Sequence, residues 1–560
     1  MVEQSVEREI NEAVNVGKQS EQSGTHNVPH PSLEFPLFYR CIHRSPFLLT
    51  FTEKIYDLRW KIIYILQRRI NCPFCKSSSI SWMSALGFLP MGVILLWGII
   101  TSFVYPSVVY SGHAARLPLL ICYLTASRNS LATFLLGIPF ERAMKYHKMS
   151  GYIACVNGIF HTYAVLMMDQ SYQDDLTLLF KGQINISGTC LMIVISLLVL
   201  SSFASLRRVA FEFFHFVHIV LAIAILIFAF YHSGIVVPVC ASIIWGGDLI
   251  LRRIVMPCFW YPRRANIKSL SDDVIELSFP KTNFYYNPGQ YVNIAIPELS
   301  IFQWHPFSIS SSPFQDTVTV NIKKLGKWSG RLCALAKEKN EVACWLEGPY
   351  GSLAINLGGN RYEIVVLIGG GIGVTAMQSV ALQLEREYNE GSRSMQILYF
   401  VWTTKKYDMI EGIQISNRIL TKRRKRKESY LEGKDNVTFS TSPEQNFMSS
   451  VGSGEGEAQS LGGDSHRPRG NSKEEVLGLD IFITNGSNAN NEDFDEIDIH
   501  QGRPDLRQIF TTIKQESLKR RKKRVAVCVC GNPTLMNSVR RVCQILSDDQ
   551  MSYDVHWTSF

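Results

Sequence analysis

Residues 142 to 165, RAMKYHKMSGYIACVNGIFHTYAV, place two histidines in a run that is otherwise apolar enough to enter a membrane. His147 and His161 are 14 residues apart. On a helix they therefore share one face to within about 40° and lie about 21 Å apart along the axis. A lone histidine in such a run is usually a hydrogen-bonded core residue. The interpretation depends on whether the pair recurs.

A second run, FEFFHFVHIVLAIAILIFAFYH, repeats the spacing with His218 and His232. If both runs cross the membrane in the same direction, His147 faces His218 near the cytoplasm and His161 faces His232 near the outside. Each facing pair can supply two axial imidazoles to a haem iron, so the sequence predicts two b-type haems stacked across the bilayer. The alternative is four buried, hydrogen-bonded histidines, although intramembrane ionisable groups are usually functional. His215 competes with His218, but the equal spacing favours His218.

The composition indicates a membrane part joined to a polar part. The chain has 560 residues, of which 46% are hydrophobic, and a net charge of +9. Six runs each approach the roughly 20 apolar residues that span a bilayer. Seven basic residues flank these runs on one side against two on the other, which predicts cytoplasmic termini. We expect an integral protein of the plasma membrane, or of the vacuolar or another endomembrane, with no nucleic-acid partner. The six runs are at about 84–105, 117–138, 149–168, 184–204, 211–231 and 235–256.

Two segments precede these runs. Residues 1–32 are polar, and we expect them to be disordered and to contain no cleavable signal peptide. Residues 33–83 mix aromatic and basic side chains, which predicts an interfacial helical segment. Residues 84–258 then form the predicted transmembrane haem domain. The 13 cysteines are scattered, which argues against a disulfide framework.

Short alternating runs after residue 265 predict an antiparallel β-barrel over 265–355. Within it, WHPFSISSSP carries a pattern in which an aromatic ring and hydroxyls pack against an isoalloxazine and backbone N–H groups meet a diphosphate. A later glycine and hydroxyl mark a helix start, where anions bind well. The barrel is therefore predicted to bind FAD. The candidate FAD residues are His305, Pro306, Phe307, Ser308, Ser310, Gly326, Trp328 and Ser329.

From about residue 360 a pattern of buried strand, glycine turn and helix predicts an α/β domain that binds NAD(P)H, over 360–560. A polar stretch at about 421–500 is expected to be a disordered insertion. Glycine turns let the backbone approach the nucleotide, and the following helix N-terminus faces its phosphates. The candidate residues for this role are Gly348, Gly351, Gly369, Gly371, Gly373, Thr375 and Gly531.

Three cations are candidates for a 2′-phosphate and would favour NADPH over NADH: Lys405, Lys406 and Arg503. The lysines are nearly as well explained as a solvated face. Cys530, at the end of a late strand, is expected near the nicotinamide. The terminal Phe560 is expected to stack on the flavin until the nucleotide displaces it.

Over about residues 84–560, the chain resembles the ferric reductase and NADPH oxidase superfamily. The resemblance lies in the two histidine pairs and in ASRNSLATFLLGIPFERAMKYHKMSG, HPFSISSSP, GPYG, GGGIGVT, GRPD and CGNP. It implies a six-helix transmembrane haem bundle, an antiparallel β-barrel FAD domain and a Rossmann-like NADPH domain of the ferredoxin-reductase type. It also implies hydride transfer from NADPH to FAD. Single electrons then pass through two haems to an acceptor outside the cytoplasm.

The branch of this superfamily is set by smaller differences. Superoxide-producing members usually carry a further histidine one turn after the second ligand, where this chain has Val165, and GVTAMQS replaces their GVTP. We therefore expect a ferric or cupric chelate as acceptor, with O2 as the alternative. A non-enzymatic membrane scaffold is a remote alternative. A scaffold would be expected to lose the flavin and nucleotide motifs, and these motifs are intact in this chain. The insertion, which begins with KRRKRK, is either a regulatory contact for anionic lipid or phosphorylation or a solvated spacer.

Overall fold

The computed structural model describes residues 69–70, 80–129, 140–168, 176–351, 357, 361–405, 477–484 and 499–558. The predicted disordered N-terminus, most of the interfacial segment, Lys406 and Phe560 lie outside these residues. The chain divides into two compact units, residues 1–359 and 360–559.

Seven α-helices in the described part of the first unit form what we call the helical bundle (residues 82–260). They are α1 (Trp82–Ile99), α2 (Val108–Ala126), α3 (Phe140–Met168), α4 (Gln183–Ser201), α5 (Ala204–Val209), α6 (Phe211–Ser233) and α7 (Val236–Ile250). Two π-helical segments extend α1 and α7, at Ile100–Val104 and Leu251–Trp260, and a 3-10 turn, Leu176–Phe180, precedes α4. Before the bundle, the short strands β1 (Arg69–Ile70) and β2 (Ile80–Ser81) pair antiparallel.

Each of the six predicted membrane runs overlaps a helix of this bundle. Three helical stretches in the described residues are long and apolar enough to cross a membrane: Ala143–Met168, Gln183–Ser201 and Phe211–Ser233. Much of their surface is exposed apolar side chain, as expected for helices in lipid. The first and third of these stretches carry the histidine pairs, so the predicted single helix through His147 and His161 is confirmed.

The second membrane run was misplaced. It was predicted at 117–138, whereas α2 begins at Val108 and ends at Ala126. The side chain of Ser107 accepts a hydrogen bond from the Tyr110 N–H at 3.4 Å, so the helix starts in a stretch too polar to count as an apolar run. At the other end, the Asp248 carboxylate accepts the backbone N–H of Arg128 at 3.1 Å, which draws the chain out of the helix.

Two antiparallel sheets form what we call the β domain (residues 264–350). The first sheet has the order β7-β4-β3-β8 and the second β6-β5-β9. Strands from both sheets contribute to one hydrophobic core, for example through Leu277, Val320 and Ile294. The strands are β3 (Arg264–Ser271), β4 (Val274–Pro280), β5 (Tyr291–Ala295), β6 (His305–Ser308), β7 (Thr317–Lys323), β8 (Glu341–Ala343) and β9 (Trp345–Tyr350), with helix α8 (Lys327–Glu338) after β7.

The second unit is an α/β domain built on a six-stranded parallel sheet of order β13-β12-β11-β10-β14-β15. Its strands are β10 (Ile364–Gly370), β11 (Ile397–Thr404), β12 (Leu477–Ile483), β13 (Ile499–Gln501), β14 (Arg524–Cys530) and β15 (Ser552–Thr558). Its helices are α9 (Val374–Asn389), α10 (Leu506–Lys519) and α11 (Pro533–Leu546). The strand order reverses between β10 and β14, and ligands bind α/β sheets at the carboxyl ends of the strands beside such a point.

The structure corrects the predicted insertion. We expected disorder over 421–500, but β12 pairs with β11 within that range, and β13 begins at Ile499. The apolar residues of LGLDIFI alternate too briefly to stand out in a polar sequence. Pairing between two parallel neighbours stabilises this strand, and such pairing is not visible locally.

Candidate functional site

The four predicted haem ligands meet in two pairs. The ring centroids of His147 and His218 are 6.1 Å apart, and those of His161 and His232 are also 6.1 Å apart. A metal–imidazole bond is about 2 Å long, so two axial imidazoles on one metal have centroids about 6 Å apart. The spacing of each pair therefore suits one iron between the two rings.

Two of these imidazoles are held by backbone carbonyls of other helices. The Nδ1 of His147 donates to the Cys122 carbonyl at 3.0 Å, and the Nδ1 of His232 donates to the Ile184 carbonyl at 3.0 Å. A carbonyl only accepts, so the ring hydrogen lies on Nδ1 and the lone pair on Nε2. An imidazole in this state can ligate a metal through Nε2.

Serine hydroxyls hold the other two. Ser111 Oγ lies 2.9 Å from Nδ1 of His161, and Ser202 Oγ lies 3.2 Å from Nδ1 of His218. Each hydroxyl also lies within hydrogen-bond distance of a carbonyl earlier in the chain, that of Val108 at 3.2 Å and that of Leu198 at 2.6 Å. With its hydrogen on that carbonyl, each serine oxygen can accept from the imidazole, which leaves a lone pair on Nε2 of the ring. These four donor groups fit two six-coordinate haem irons.

Glycines bring neighbouring helices close to the outer pair. A Cβ at Gly188 would lie 2.6 Å from Cε1 of His232, and one at Gly112 would lie 3.3 Å from Cε1 of His161. The absence of a side chain at these two positions lets α4 and α2 support the rings directly.

His215, the competing candidate, lies apart from this arrangement. Its ring stacks on Phe211, with centroids 6.1 Å apart and an interplanar angle of 16°. His218, in contrast, faces His147. The structure therefore favours His218 as the partner of His147.

The predicted flavin motif forms strand β6 and the turn after it. Phe307 stacks on Trp328 with centroids 5.9 Å apart and an interplanar angle of 24°, and His305 lies 4.3 Å from the same indole. Pro306 is exposed and Ser308 is half-buried on this strand. Burial lowers the pKa of His305, although Glu212 acts in the opposite direction. The aromatic residues of the motif are thus gathered into one cluster.

Two hydroxyls of the predicted flavin site are used within the protein. Ser310 is buried, and both its N–H and its hydroxyl donate to the carbonyl of Thr319, at 2.9 Å and 3.0 Å. Ser329 Oγ accepts the Gly326 N–H at 3.0 Å, which caps helix α8. The helix start predicted at Gly326 is confirmed, because α8 begins at Lys327, and a helix N-terminus is a favourable place for an anion.

The GPYG motif ends strand β9. Gly348 has φ +130° and Gly351 has φ +84°, and side chains rarely adopt such values. A Cβ at Gly351 would lie 3.2 Å from the Tyr291 ring. The glycine at this position thus allows tight packing within the β domain, and the predicted approach of this backbone to a nucleotide stays a prediction.

The glycine turn after β10 lies at the reversal point of the parallel sheet. A Cβ at Gly373 would lie 2.6 Å from the Cys530 carbonyl oxygen, and one at Gly531 would lie 3.1 Å from Cα of Gly370. A Cβ at Gly369 would lie 2.6 Å from Cα of Val374. The turns after β10 and β14 therefore touch, and they form the floor of the predicted nucleotide site.

Helix α9 begins directly after this turn, and its N-terminus faces the same edge of the sheet. The Thr375 hydroxyl donates to the Ile372 carbonyl at 2.9 Å, and the Trp402 indole N–H donates to the Gly371 carbonyl at 3.1 Å. Both bonds fix the turn. Gly371 itself has φ +56°.

The predicted phosphate-binding cations lie along the same edge. Lys405 follows β11, and Arg503 follows β13, and both side chains are exposed. Because all strands of this sheet are parallel, both residues lie at the carboxyl edge, together with Gly371 and Cys530. Lys406 lies outside the described residues.

Sequence reasoning missed a buried ion cluster, which we call the arginine–carboxylate cluster: Arg128, Asp248, Arg252, Arg253 and Glu347. Glu347, on β9, is fully buried. Its Oε1 accepts from Arg128 at 2.9 Å and from Arg252 at 3.2 Å, and its Oε2 lies 3.2 Å from Arg253. Arg252 also donates to Asp248 at 2.8 Å. The cluster ties the helical bundle to the β domain.

Burial raises the pKa of Glu347, but the three guanidinium groups outweigh burial and hold its pKa below the ordinary value. A signal for the cluster was present in the sequence. Arg252 and Arg253 are two of the seven basic residues that predict the orientation of the chain, and Glu347 immediately precedes the GPYG motif.

Three family models match consecutive parts of the chain. They are the ferric reductase like transmembrane component at residues 111–229, an FAD-binding domain at 260–354, and the ferric reductase NAD binding domain at 362–544. The chain belongs to the ferric reductase and NADPH oxidase superfamily. The relatives described in the next paragraph are reductases and oxidases, and both classes are oxidoreductases. The predicted family is confirmed.

Curated relatives fall in both branches of the superfamily. Ferric reduction oxidase 5 of Arabidopsis thaliana is 28% identical over 332 residues, 56% of this chain and 46% of the relative. Ferric reductase transmembrane component 5 of Saccharomyces cerevisiae is 28% identical over 310 residues, covering 53% and 43%. Human dual oxidase 2 is 26% identical over 353 residues, covering 54% and 22%. The chain thus spans less than half the length of these relatives.

Among solved structures, the chain is similar to a ferredoxin NADP+ reductase from Neisseria gonorrhoeae with bound FAD and NADP. The TM-score is 0.34 at 12% identity, over 53% of this chain and 97% of that structure.

Proposed function

We propose that the protein carries electrons from NADPH through FAD and two b-type haems across a membrane to a ferric chelate. The two facing histidine pairs carry this proposal. The Nδ1 of each ring lies within hydrogen-bond distance of a protein oxygen, which leaves Nε2 for a metal, and the two rings of each pair have centroids 6.1 Å apart. Four histidines that served only as buried core residues would not be expected to form two facing pairs.

Each domain supplies one part of the path. The haems, when bound, supply single-electron chemistry within the bilayer. His147 and His218 hold the inner one, and His161 and His232 hold the outer one. In the β domain, Phe307 provides the aromatic contact for the flavin ring, while the start of α8 binds its diphosphate.

In the α/β domain, the turns after β10 and β14 hold the nucleotide, with its phosphates at the N-terminus of α9. Arg503 and Lys405 bind the 2′-phosphate and so select NADPH. Cys530 lies at the nicotinamide end of this edge.

The outer end of α3 favours a metal chelate as the acceptor. Val165, one turn after His161, is half-buried and apolar. It provides no hydrogen bond or proton for oxygen, and a metal chelate that meets an exposed haem edge needs neither. A cupric chelate would be reduced in the same way. Production of superoxide from O2 is the second candidate, and the similarity to an oxidase, human dual oxidase 2, favours O2 as the acceptor.

The sidedness follows from the basic residues at the helix ends. Arg207 and Arg208 lie in α5, directly before α6, and Arg252 and Arg253 follow α7. By the positive-inside rule, these positions support a topology with both termini and the NADPH site in the cytoplasm and the acceptor on the opposite face. We assign the protein to the plasma membrane or an endomembrane.

The test uses sealed membranes that contain the full chain loaded with haem and FAD. NADPH is supplied on the cytoplasmic side, and reduction of an impermeant ferric chelate is followed outside, with and without superoxide dismutase, together with oxygen uptake. We expect iron reduction that dismutase does not inhibit and no oxygen uptake. Oxygen uptake, with iron reduction abolished by dismutase, would establish the oxidase instead.

A further inference from the structure

The loop between β5 and β6 exposes two adjacent apolar side chains. Phe302 is 87% exposed and Ile301 is 46% exposed. The loop is an ordered turn, because the N–H groups of Leu299 and Ser300 both donate to the Ile296 carbonyl at 2.9 Å. An ordered loop that leaves a phenylalanine this exposed loses the stabilisation that burial would give. Such an exposed apolar surface indicates a partner that covers it.

The loop lies at the end of a membrane helix. The Gln303 side-chain amide donates to the Glu212 carboxylate at 3.0 Å, and Glu212 is in the first turn of α6. Helix α6 is one of the three helical stretches apolar enough to cross a membrane. Gln303 directly follows Phe302, so the exposed pair lies at the level where α6 leaves the bilayer.

The neighbouring surface of α6 is apolar as well. Phe211, Phe213 and Phe216 are 60%, 61% and 68% exposed. Acyl chains cover such side chains on a membrane-spanning helix. The loop therefore continues a surface that already faces lipid.

The polar residues beside the loop are those found at a lipid headgroup layer. Trp304 packs under Arg253, whose guanidinium carbon lies 4.3 Å from the ring centroid. Arg207 and Arg208 lie in α5, just before α6. Tryptophan is enriched at membrane interfaces, and arginines there bind anionic headgroups.

From these observations we propose that Ile301 and Phe302 insert into the bilayer and anchor the β domain to the membrane surface. The occupant of this surface is lipid: acyl chain at the two apolar residues and anionic headgroup at Arg207 and Arg208. The anchor adds a lipid contact to the arginine–carboxylate cluster, so the β domain is held to the membrane part at two places. It is independent of the acceptor proposed above.

The test places a photoreactive benzophenone amino acid at position 302 of the full chain, loaded with haem and FAD. The protein is reconstituted in vesicles of phosphatidylcholine and phosphatidylserine and irradiated, and adducts are identified by mass spectrometry. Because Phe302 is exposed, this replacement disturbs no packing. The same amino acid in place of Phe216 is the positive control, because this position lies on the membrane-spanning helix α6 and should yield lipid adducts.

The matched control is Asp272, in the β3–β4 turn. Its side chain is 97% exposed and pairs with Lys337 at 3.2 Å, so a probe there is surrounded by charge. We expect lipid adducts at 302 in yields comparable to those at 216, and background yields at 272. If the protein with the probe at position 302 lacks its haem spectrum, the probe is placed at position 301 in place of Ile301.

Lipid adducts at 216 without any at 301 or 302 would overturn the proposal. Adducts at 302 only to polypeptide would also overturn it, whether to a second copy or to residues 1–68 of the same chain. These adducts would identify a protein as the occupant.

Discussion

At the residue scale, the position of one hydrogen decides what each membrane histidine can do. Cys122 and Ile184 offer carbonyl oxygens to Nδ1 of their histidines, and Ser111 and Ser202 each have a carbonyl within reach that can take their hydroxyl hydrogen. Hydrogen-bond partners of this kind fix the ring orientation and increase the basicity of the ligating nitrogen. The selection of a ligand therefore rests on the partner at Nδ1 as well as on the spacing along the helix.

A first prediction separates His218 from its neighbour. Replacing His218 with Leu removes the imidazole that faces His147, and we expect the purified protein to contain one haem instead of two. His215→Leu is the matched control, because it removes a histidine one turn away whose ring stacks on Phe211. It is expected to keep both haems. Haem content per FAD, from pyridine haemochrome absorbance, measures the difference. The reverse pattern would assign the inner haem to His215.

At the element scale, the arginine–carboxylate cluster joins strand β9 to helix α7 and its π-helical extension. A buried carboxylate is costly unless charges of opposite sign surround it, and Glu347 has three. Removing one partner of a buried pair costs about 3–5 kcal/mol, because the other charges remain buried. Substitution of one charged member of the cluster is therefore expected to destabilise the first unit.

A second prediction concerns Glu347→Gln. We expect its free energy of unfolding to fall by about 3 kcal/mol at pH 7, seen as a lower Tm of the purified protein. The control is Glu341→Gln, whose exposed carboxylate lies 3.5 Å from Arg264 and contributes at most about 1 kcal/mol.

The same variant has a pH signature. The pKa of Glu347 is lower in the folded protein than in the unfolded chain, so its stabilisation is complete above the unfolded pKa of about 4.3. It is lost as the pH falls below that value, towards the folded pKa. The Tm difference between wild type and Glu347→Gln should therefore be constant from pH 7 to about pH 5 and shrink in more acidic buffer. A difference that grows on acidification would contradict the cluster.

A third prediction concerns the carboxyl edge of the parallel sheet. If Arg503 binds the 2′-phosphate, Arg503→Ala should lower kcat/KM for NADPH about tenfold or more and leave NADH unchanged, since a charged hydrogen bond contributes about 1.5–3 kcal/mol. Lys519→Ala removes an exposed cation about 20 Å away, at the other end of α10, and should change neither. Equal losses for both nucleotides would indicate a structural role for Arg503.

The sequence predicts some elements better than others. The pairs His147–His218 and His161–His232 follow from helical periodicity, and the glycine turn follows from its own local geometry. Strand β12 and the end of α2 do not follow in this way, because each is fixed by a partner far along the chain. Asp248 ends α2 across 120 positions, and the chemistry of Glu347 depends on three arginines that no local pattern connects to it.

At the scale of the whole molecule, the proposed path has an order that a single variant can reveal. His161→Leu should remove the outer haem alone. NADPH should still reduce the flavin and the remaining haem, whereas reduction of an external ferric chelate should stop. Stopped-flow absorbance and external chelate reduction measure the two halves. The control is Tyr163→Leu, a side chain on the same helix that is 40% exposed and should leave both intact. Full external activity in His161→Leu would overturn the assigned order.

The arginine–carboxylate cluster gathers formal charges of both signs in a place that water screens weakly. Its three guanidinium groups, on Arg128, Arg252 and Arg253, face two carboxylates, on Asp248 and Glu347. The field of weakly screened charges reaches further than that of an exposed ion pair. Under the proposed function, an electron carrier held beside the guanidinium groups would have a higher reduction potential than the same carrier in neutral surroundings, so the contact that joins the helical bundle to the β domain would also tune electron transfer.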